Sequence, residues 1–168
     1  NLEPEIYSIT GLQAFLKIAQ YQNISHYPIH IKLDTGMHRL GFEPHLISEL
    51  CSLLKNNNFV KVKSVFSHLA ASDDLQLDDF TKLQFQRFDA MYSELEKVLP
   101  SKPIRHILNT SGIFNYAEKQ MEMVRLGIGL YGIGNSEQEL KVLENVSTLK
   151  TIISQIREVL PEESIGYS

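Results

Sequence analysis

Residues 28–34 read Pro28-Ile29-His30-Ile31-Lys32-Leu33-Asp34, and their alternation decides the fold. Side chains of an extended strand point to opposite faces with period two. Ile29, Ile31 and Leu33 therefore share an apolar face, and His30, Lys32 and Asp34 share a polar one. Residues 123–131 repeat the pattern, with Val124, Leu126, Ile128 and Leu130 on one side and Arg125, Gly127 and Gly129 on the other. A parallel sheet covered by helices on both faces reads as nearly all apolar. Strands with one apolar face, and one that turns polar or bare toward the C-terminal end, fit a barrel instead. There the outer face packs on helices and the inner face lines the lumen and the catalytic mouth. Lys32, His68 and Arg125, each at or near a strand end, are expected to converge on one cavity.

Outward from that stretch, strands and helices alternate. Ile6–Ile9 reads as a strand end and Gly11–Tyr21 as a helix, with Leu12, Phe15, Leu16 and Ala19 at helical spacing. Glu43–Asn57 reads as a helix with Pro44 in its first turn. Val60–Leu69 reads as a strand. Asp78–Leu99 is a long helix capped by Asp78 or Asp79. Ile104–Thr110 is a strand, a short helix lies near Ser111–Ala117, and Met123–Tyr131 is a further strand. Strands spaced by helices make βαβ units and a parallel sheet. The rhythm changes after Asn135–Asn145. Ser147–Val159 is rich in β-branched residues with no helix following, and Pro161-Glu162-Glu163 reads as a turn. Residues 1–138 are expected to form the barrel part and 139–168 the beginning of a β-rich domain.

Composition narrows the class. Of 168 residues, 43% are apolar and 21% charged, which fits a globular protein. The formal net charge of -4 lacks the basic balance of a nucleic-acid binder. No apolar run approaches the ~18 residues of a membrane span. Cys51 is the single cysteine, so no internal disulfide forms, and its apolar helical surroundings suit a small buried thiol. No Cys or His cluster has zinc-ligand spacing, and no metal is expected. Without a signal segment or a disulfide, the expected location is the cytoplasm.

Five stretches, in order, carry a resemblance to a known family: residues 30–42 (HIKLDTGMHRLGF), 66–70 (FSHLA), 106–112 (HILNTSG), 123–132 (MVRLGIGLYG) and 165–168 (IGYS). Together they resemble the pyridoxal-phosphate-dependent alanine racemases, and the resemblance covers essentially the whole chain. It implies a partial (β/α)8 TIM barrel, about strands 4 to 8, followed by the start of the β-rich C-terminal domain. It also implies interconversion of L-alanine and D-alanine through a cofactor aldimine and two bases, supplying D-alanine for bacterial peptidoglycan. A homodimer with shared active sites is implied as well. No lysine here matches the family's aldimine lysine, so the segment is expected to be inactive by itself.

The resemblance also distributes roles. Pyridoxal phosphate supplies the electron sink, and the protein supplies position and electrostatics. Tyr167 matches the tyrosine base. A phenol of ordinary pKa near 10 is a poor base at neutral pH, and nearby positive charge lowers that value. His68 and Arg125 match the family's chain from tyrosine to the pyridine nitrogen. An arginine there does not give up its proton, so the pyridine nitrogen stays unprotonated and the sink is weakened. Arg39 matches the arginine near the cofactor's phenolic oxygen and the substrate carboxylate. Lys32 matches a lysine that carries a carbamate in many members, an anion that would fix Arg39 by charge-assisted hydrogen bonds; the alternative is an unmodified lysine paired with Asp34. Thr110, Gly127 and Ile128 match the phosphate donors, with threonine where serine is more frequent. His106 matches a position near the site. His38 and Leu126 depart from the usual glycine and proline.

Rival readings are a non-catalytic pyridoxal-phosphate-binding barrel, a decarboxylase of the related barrel class, and a racemase module fused to a cell-wall ligase. The 30–42 stretch, the β-rich tail and Tyr167 oppose the first. Arg125, where decarboxylases place an acid, opposes the second.

Overall fold

A computed structural model describes residues 2–166. Four strands, β1 (Glu5–Ile6), β2 (Tyr27–Lys32), β3 (Val60–Phe66) and β4 (Ile104–His106), pair in parallel in the order β1-β2-β3-β4. Helices α1 (Ile9–Tyr21), α2 (Ile47–Leu54) and α3 (Asp78–Glu96) make the three crossovers. Every strand lies beside its predecessor and the order never reverses, which is the arrangement of a barrel rather than of a doubly wound sheet. Short helices α4 (Thr110–Asn115) and α5 (Glu137–Leu140) follow.

Period two sorts β2 as the sequence predicts. Ile29, Ile31 and Leu33 are fully buried in the core with Leu12 of α1, Leu50 of α2 and Phe88 of α3. Each such side chain is worth ~1.5–3 kcal/mol over an exposed one. On β3 the pairing register slips: Ile29 opposes Val62, yet His30 opposes Ser64. Lys63 is the extra residue, a β-bulge that reverses the face of everything after it. Val60 and Val62 are buried before the bulge and Val65 after it. Ser64 and Phe66 thereby turn to the same side as His30 and Lys32.

Several expected elements differ. The helix expected over 43–57 is a 3₁₀ turn at Pro44–Leu46 followed by α2. Neither Asp78 nor Asp79 caps α3, whose N-cap is Leu77; Asp74 instead caps the 3₁₀ turn Leu75–Leu77 that feeds the helix. β4 stops at His106 because Asn109 caps α4, its side chain accepting from Gly112 N–H. No strand forms over Met123–Tyr131. Met123 and Arg125 donate N–H to the carbonyls of Arg105 and Leu108, and the chain then curls into a 3₁₀ turn at Ile128–Tyr131. The hydroxyl of Thr110 takes the N–H groups of Gly127 and Gly129, so they are withdrawn from any strand ladder.

Residues 147–159, expected to be β-rich, contain no strand. Leu149, Ile152, Ile153 and Ile156 are exposed, with no strand among the described residues to pair with. Cys51 is half-buried, and burial is the first cause that raises its thiol pKa. No helix among the described residues is long and apolar enough to cross a membrane.

Candidate active site

The C-terminal ends of β2, β3 and β4 open on a cleft of about 470 Å³ that includes Lys32, His68, His106 and Arg125. A second recess of about 380 Å³ continues from His68 and Arg125 past Thr110, Gly127 and Ile128. Lys32, His68 and Arg125 thus share one cavity, and Thr110, Gly127 and Ile128 border its extension.

Arg125 is the hub. One guanidinium nitrogen, Nη2, donates to the carbonyls of Ser67 (2.6 Å) and Ile107 (3.3 Å) and approaches His68 Nδ1 at 3.3 Å. The other, Nη1, donates to His106 Nδ1 and to the His106 carbonyl. The Phe66 ring lies beneath, 5.2 Å from the guanidinium carbon. No carboxylate pairs with Arg125 among the described residues. A half-buried cation is therefore held by neutral acceptors alone.

A guanidinium has donors and no acceptor, so His68 must present the lone pair of Nδ1 and carry its proton on Nε2. Burial, then the positive charges of Arg125, Arg39 and Lys32, lowers the His68 pKa to about 4. Buried Gln84 fixes the segment that carries His68. Its amide donates to the His68 carbonyl and to Thr35 Oγ1, and its oxygen accepts from Ala70 N–H. Nothing in the sequence marks this role, because Gln84 falls on the inner side of α3 among apolar residues.

Lys32 is buried, and its ammonium lies 3.2 Å from Glu5 Oε1. The expected alternative partner, Asp34, is taken by its own loop: Asp34 Oδ1 accepts from the N–H groups of Gly36 and His38. That loop leaves Arg39 exposed and outside the lining of either cavity, although its charge is felt at His68. Gly41 closes it at φ +134°, where a Cβ would lie 2.5 Å from Asp34 N. The Gly127 N–H, expected to be a free donor, is held by Thr110 Oγ1 at 3.2 Å. Tyr167 lies outside the described residues. Asp34, His38 and Glu43 bring ligand atoms within 4.8 Å of one another, a grouping that sequence spacing does not reveal, but His38 and Glu43 are exposed.

Parallel strands taken in sequence order, with charged and polar side chains gathered at their C-terminal ends, define part of a barrel of the kind that carries its site at that face. Residues 1–135 match the family model "Alanine racemase, N-terminal domain". The chain belongs to the alanine racemase family. It is 32% identical over 166 residues to an alanine racemase of Methanococcus maripaludis, covering 96% of this chain and 44% of that one. An alanine racemase structure from Clostridium difficile 630 superposes with TM-score 0.73 at 28% identity, over 86% of this chain and 37% of that one. One from Bartonella henselae, with covalently bound pyridoxal phosphate, gives TM-score 0.68 at 26% identity, over 80% and 37%. The chain spans less than half the length of these relatives.

Proposed function

We propose that this chain supplies part of the active site of a pyridoxal-phosphate-dependent alanine racemase, comprising about barrel strands 4 to 8 and the start of a β-rich domain over 139–168. The observation that carries this reading is Arg125, a half-buried cation without a carboxylate, aimed into a cleft that also holds Lys32. The residues fit the cofactor. Arg125 Nε–H, left over when both Nη groups donate to the protein, is a donor for the pyridine nitrogen, and the space beside Gly127, where a Cβ would meet only Thr110 Oγ1 at 3.8 Å, would take a phosphate. When bound, the cofactor withdraws electrons from the substrate α-carbon.

The side chains do the rest. Arg125 keeps its proton, donates a hydrogen bond and thereby limits the withdrawal. His68, neutral with its proton on Nε2, is placed to donate to a phenolate, the role proposed for Tyr167 as one of two bases. Arg39 would orient the substrate carboxylate, and Thr110, Gly127 and Ile128 would border the phosphate, with the Gly127 N–H leaving Thr110 Oγ1 to donate to it. The Glu5 contact favours Lys32 as an unmodified ammonium; a carbamate there would set two anions together. Alanine as substrate, a homodimer, a cytoplasmic location and service to peptidoglycan belong to the same proposal.

The test is an assay of the gene product that carries this chain, with pyridoxal phosphate and L-alanine. D-alanine should form and should fall by ~10²-fold or more on Tyr167→Phe, the loss typical of a positioned acid–base group. Unchanged turnover in that variant removes Tyr167 from the mechanism. The 168-residue chain alone should produce no more D-alanine than free cofactor does.

A further inference from the structure

From Arg125 a file of polar groups runs along the wall of the cleft and crosses three strands, and Glu3, His30 and His106 all line that cleft. His106 at the end of β4 places Nε2 3.0 Å from Ser64 Oγ on β3. Ser64 Oγ lies 2.6 Å from His30 Nδ1 on β2. His30 Nε2 lies 2.9 Å from Glu3 Oε2, beside β1. Ser64 is almost fully buried and His106 nearly so. The family resemblance gives no role to His30, Ser64 or Glu3.

The directions of these bonds follow one from another. Arg125 offers only N–H, so His106 Nδ1 must be a lone pair. A neutral His106 then carries its proton on Nε2 and donates to Ser64. The hydroxyl, having accepted, spends its single hydrogen on His30 Nδ1. His30 in turn holds its proton on Nε2 and donates to the Glu3 carboxylate. Reversing any one link sets two hydrogens face to face or leaves a buried group unmatched. Burial, then the charge of Arg125, lowers the His106 pKa to about 4, in keeping with a neutral ring. Phe66 stacks on that ring at 4.7 Å and 9°, restricting its rotation.

We propose that Ser64, His30 and Glu3 are positioning residues: a one-way hydrogen-bond relay that locks the His106 tautomer and delivers the influence of the Glu3 carboxylate to Arg125. The arrangement solves an electrostatic problem. A carboxylate placed directly on Arg125 would neutralise the cleft and occupy the donors that face it. Carried through three neutral groups, the anion reaches the guanidinium by way of the His106 ring, and the Arg125 Nε–H has no partner among the described residues. Lys32 and Glu5, the other charged pair in the cleft, stand apart from the relay and bond to each other. The consequence for a cofactor rests on the reading of Arg125 given above; the relay itself is a property of the cofactor-free protein.

The test is NMR of the cofactor-free protein with isotope-labelled histidine. His30 and His106 should each show a single neutral Nε2–H tautomer, and the His106 Nε2 proton should exchange slowly with water. In Ser64→Ala that exchange should quicken roughly tenfold, the effect of losing about one hydrogen bond. Ser64→Thr, which keeps the hydroxyl, should keep it slow. Glu3→Gln should shift the ring resonances of His106 as well as His30, which a local packing role would not do. A proton on Nδ1 of either ring, a doubly protonated His30 at neutral pH, or a His106 indifferent to Glu3→Gln overturns the relay. With pyridoxal phosphate added, Ser64→Ala should also shift the cofactor's absorbance. If the relay breaks and the absorbance stays, it is the cofactor role of Arg125 that fails.

Discussion

The carboxylate of Glu5 on β1 lies 3.2 Å from the ammonium of Lys32 on β2, with the lysine side chain largely buried and the glutamate partly exposed. The pair lies inside the cleft, and its negative member occupies the space that a carbamate on Lys32 would need. Lys32 should therefore remain unmodified in the native sequence. Isotope-labelled bicarbonate should give no carbamate carbon signal at neutral pH. Removing the competing charge by Glu5→Gln should allow one to appear, and a strong signal in the unaltered protein would contradict the pairing.

Acid should weaken the fold through His68 and His106. Each has a folded-state pKa of about 4, below the ordinary 6.5, so the unfolded chain binds the protons first. Their neutral forms suit the fold fully above pH 6.5, and stability is lost as pH falls from 6.5 toward about 4. Urea midpoints measured across that window should decline. His68→Gln should flatten part of the decline; an unchanged slope would mean that His68 titrates normally.

Glu122 clamps the outer edge of β4. Its carboxylate accepts from the Arg105 backbone N–H at 2.8 Å and from the Arg105 guanidinium at 3.0 and 2.6 Å. Those side-chain hydrogen bonds are the first cause that lowers its pKa from 4.5 to about 2. The contribution is present above pH 4.5 and lost as pH falls through about 2, opposite in origin to the histidines. Both side chains are partly exposed, so Glu122→Gln should cost only about 0.5–1 kcal/mol at pH 7. Loss of that small increment below pH 2 identifies the pair as its source.

Gly41→Ala should cost ~2 kcal/mol or more, because the added Cβ meets backbone at both Asp34 N and Leu33 C and the φ of +134° opposes any side chain. The damage should be local. Hydrogen exchange should speed at Asp34 and Phe42, whose backbones bond Phe42 O and Lys32 O across the loop, while β3 stays protected.

Alternation in residues 28–34 was enough to separate the core face of β2 from its cleft face, and barrel order followed from the strand–helix rhythm. Convergence of Lys32, His68 and Arg125 was legible because alternation put each at or near a strand end, although Arg125 reaches the cleft from a segment that forms no strand. Ser64 was not, since unbroken period two would place it with Val60 and Val62 in the core. Met123–Tyr131 alternates like a strand, yet Thr110, remote in sequence, withdraws two of its amides. Gln84 was hidden for a related reason: its partners lie on another element, and local pattern carries no information about them.

Lys63 is the residue that β3 carries in excess of its neighbour β2. Losing it would remove the bulge and leave the faces as they are, with Val62 and Val65 toward the helices and Ser64 and Phe66 toward the cleft. Losing Ser64 would also give an unbulged strand, but one with Lys63 in the serine's place. The hydrogen-bond file would then lose its middle although neither Arg125 nor any histidine had been altered. Deletions of two adjacent codons thus have opposite consequences, and an alignment that sets its gap one residue off would exchange them.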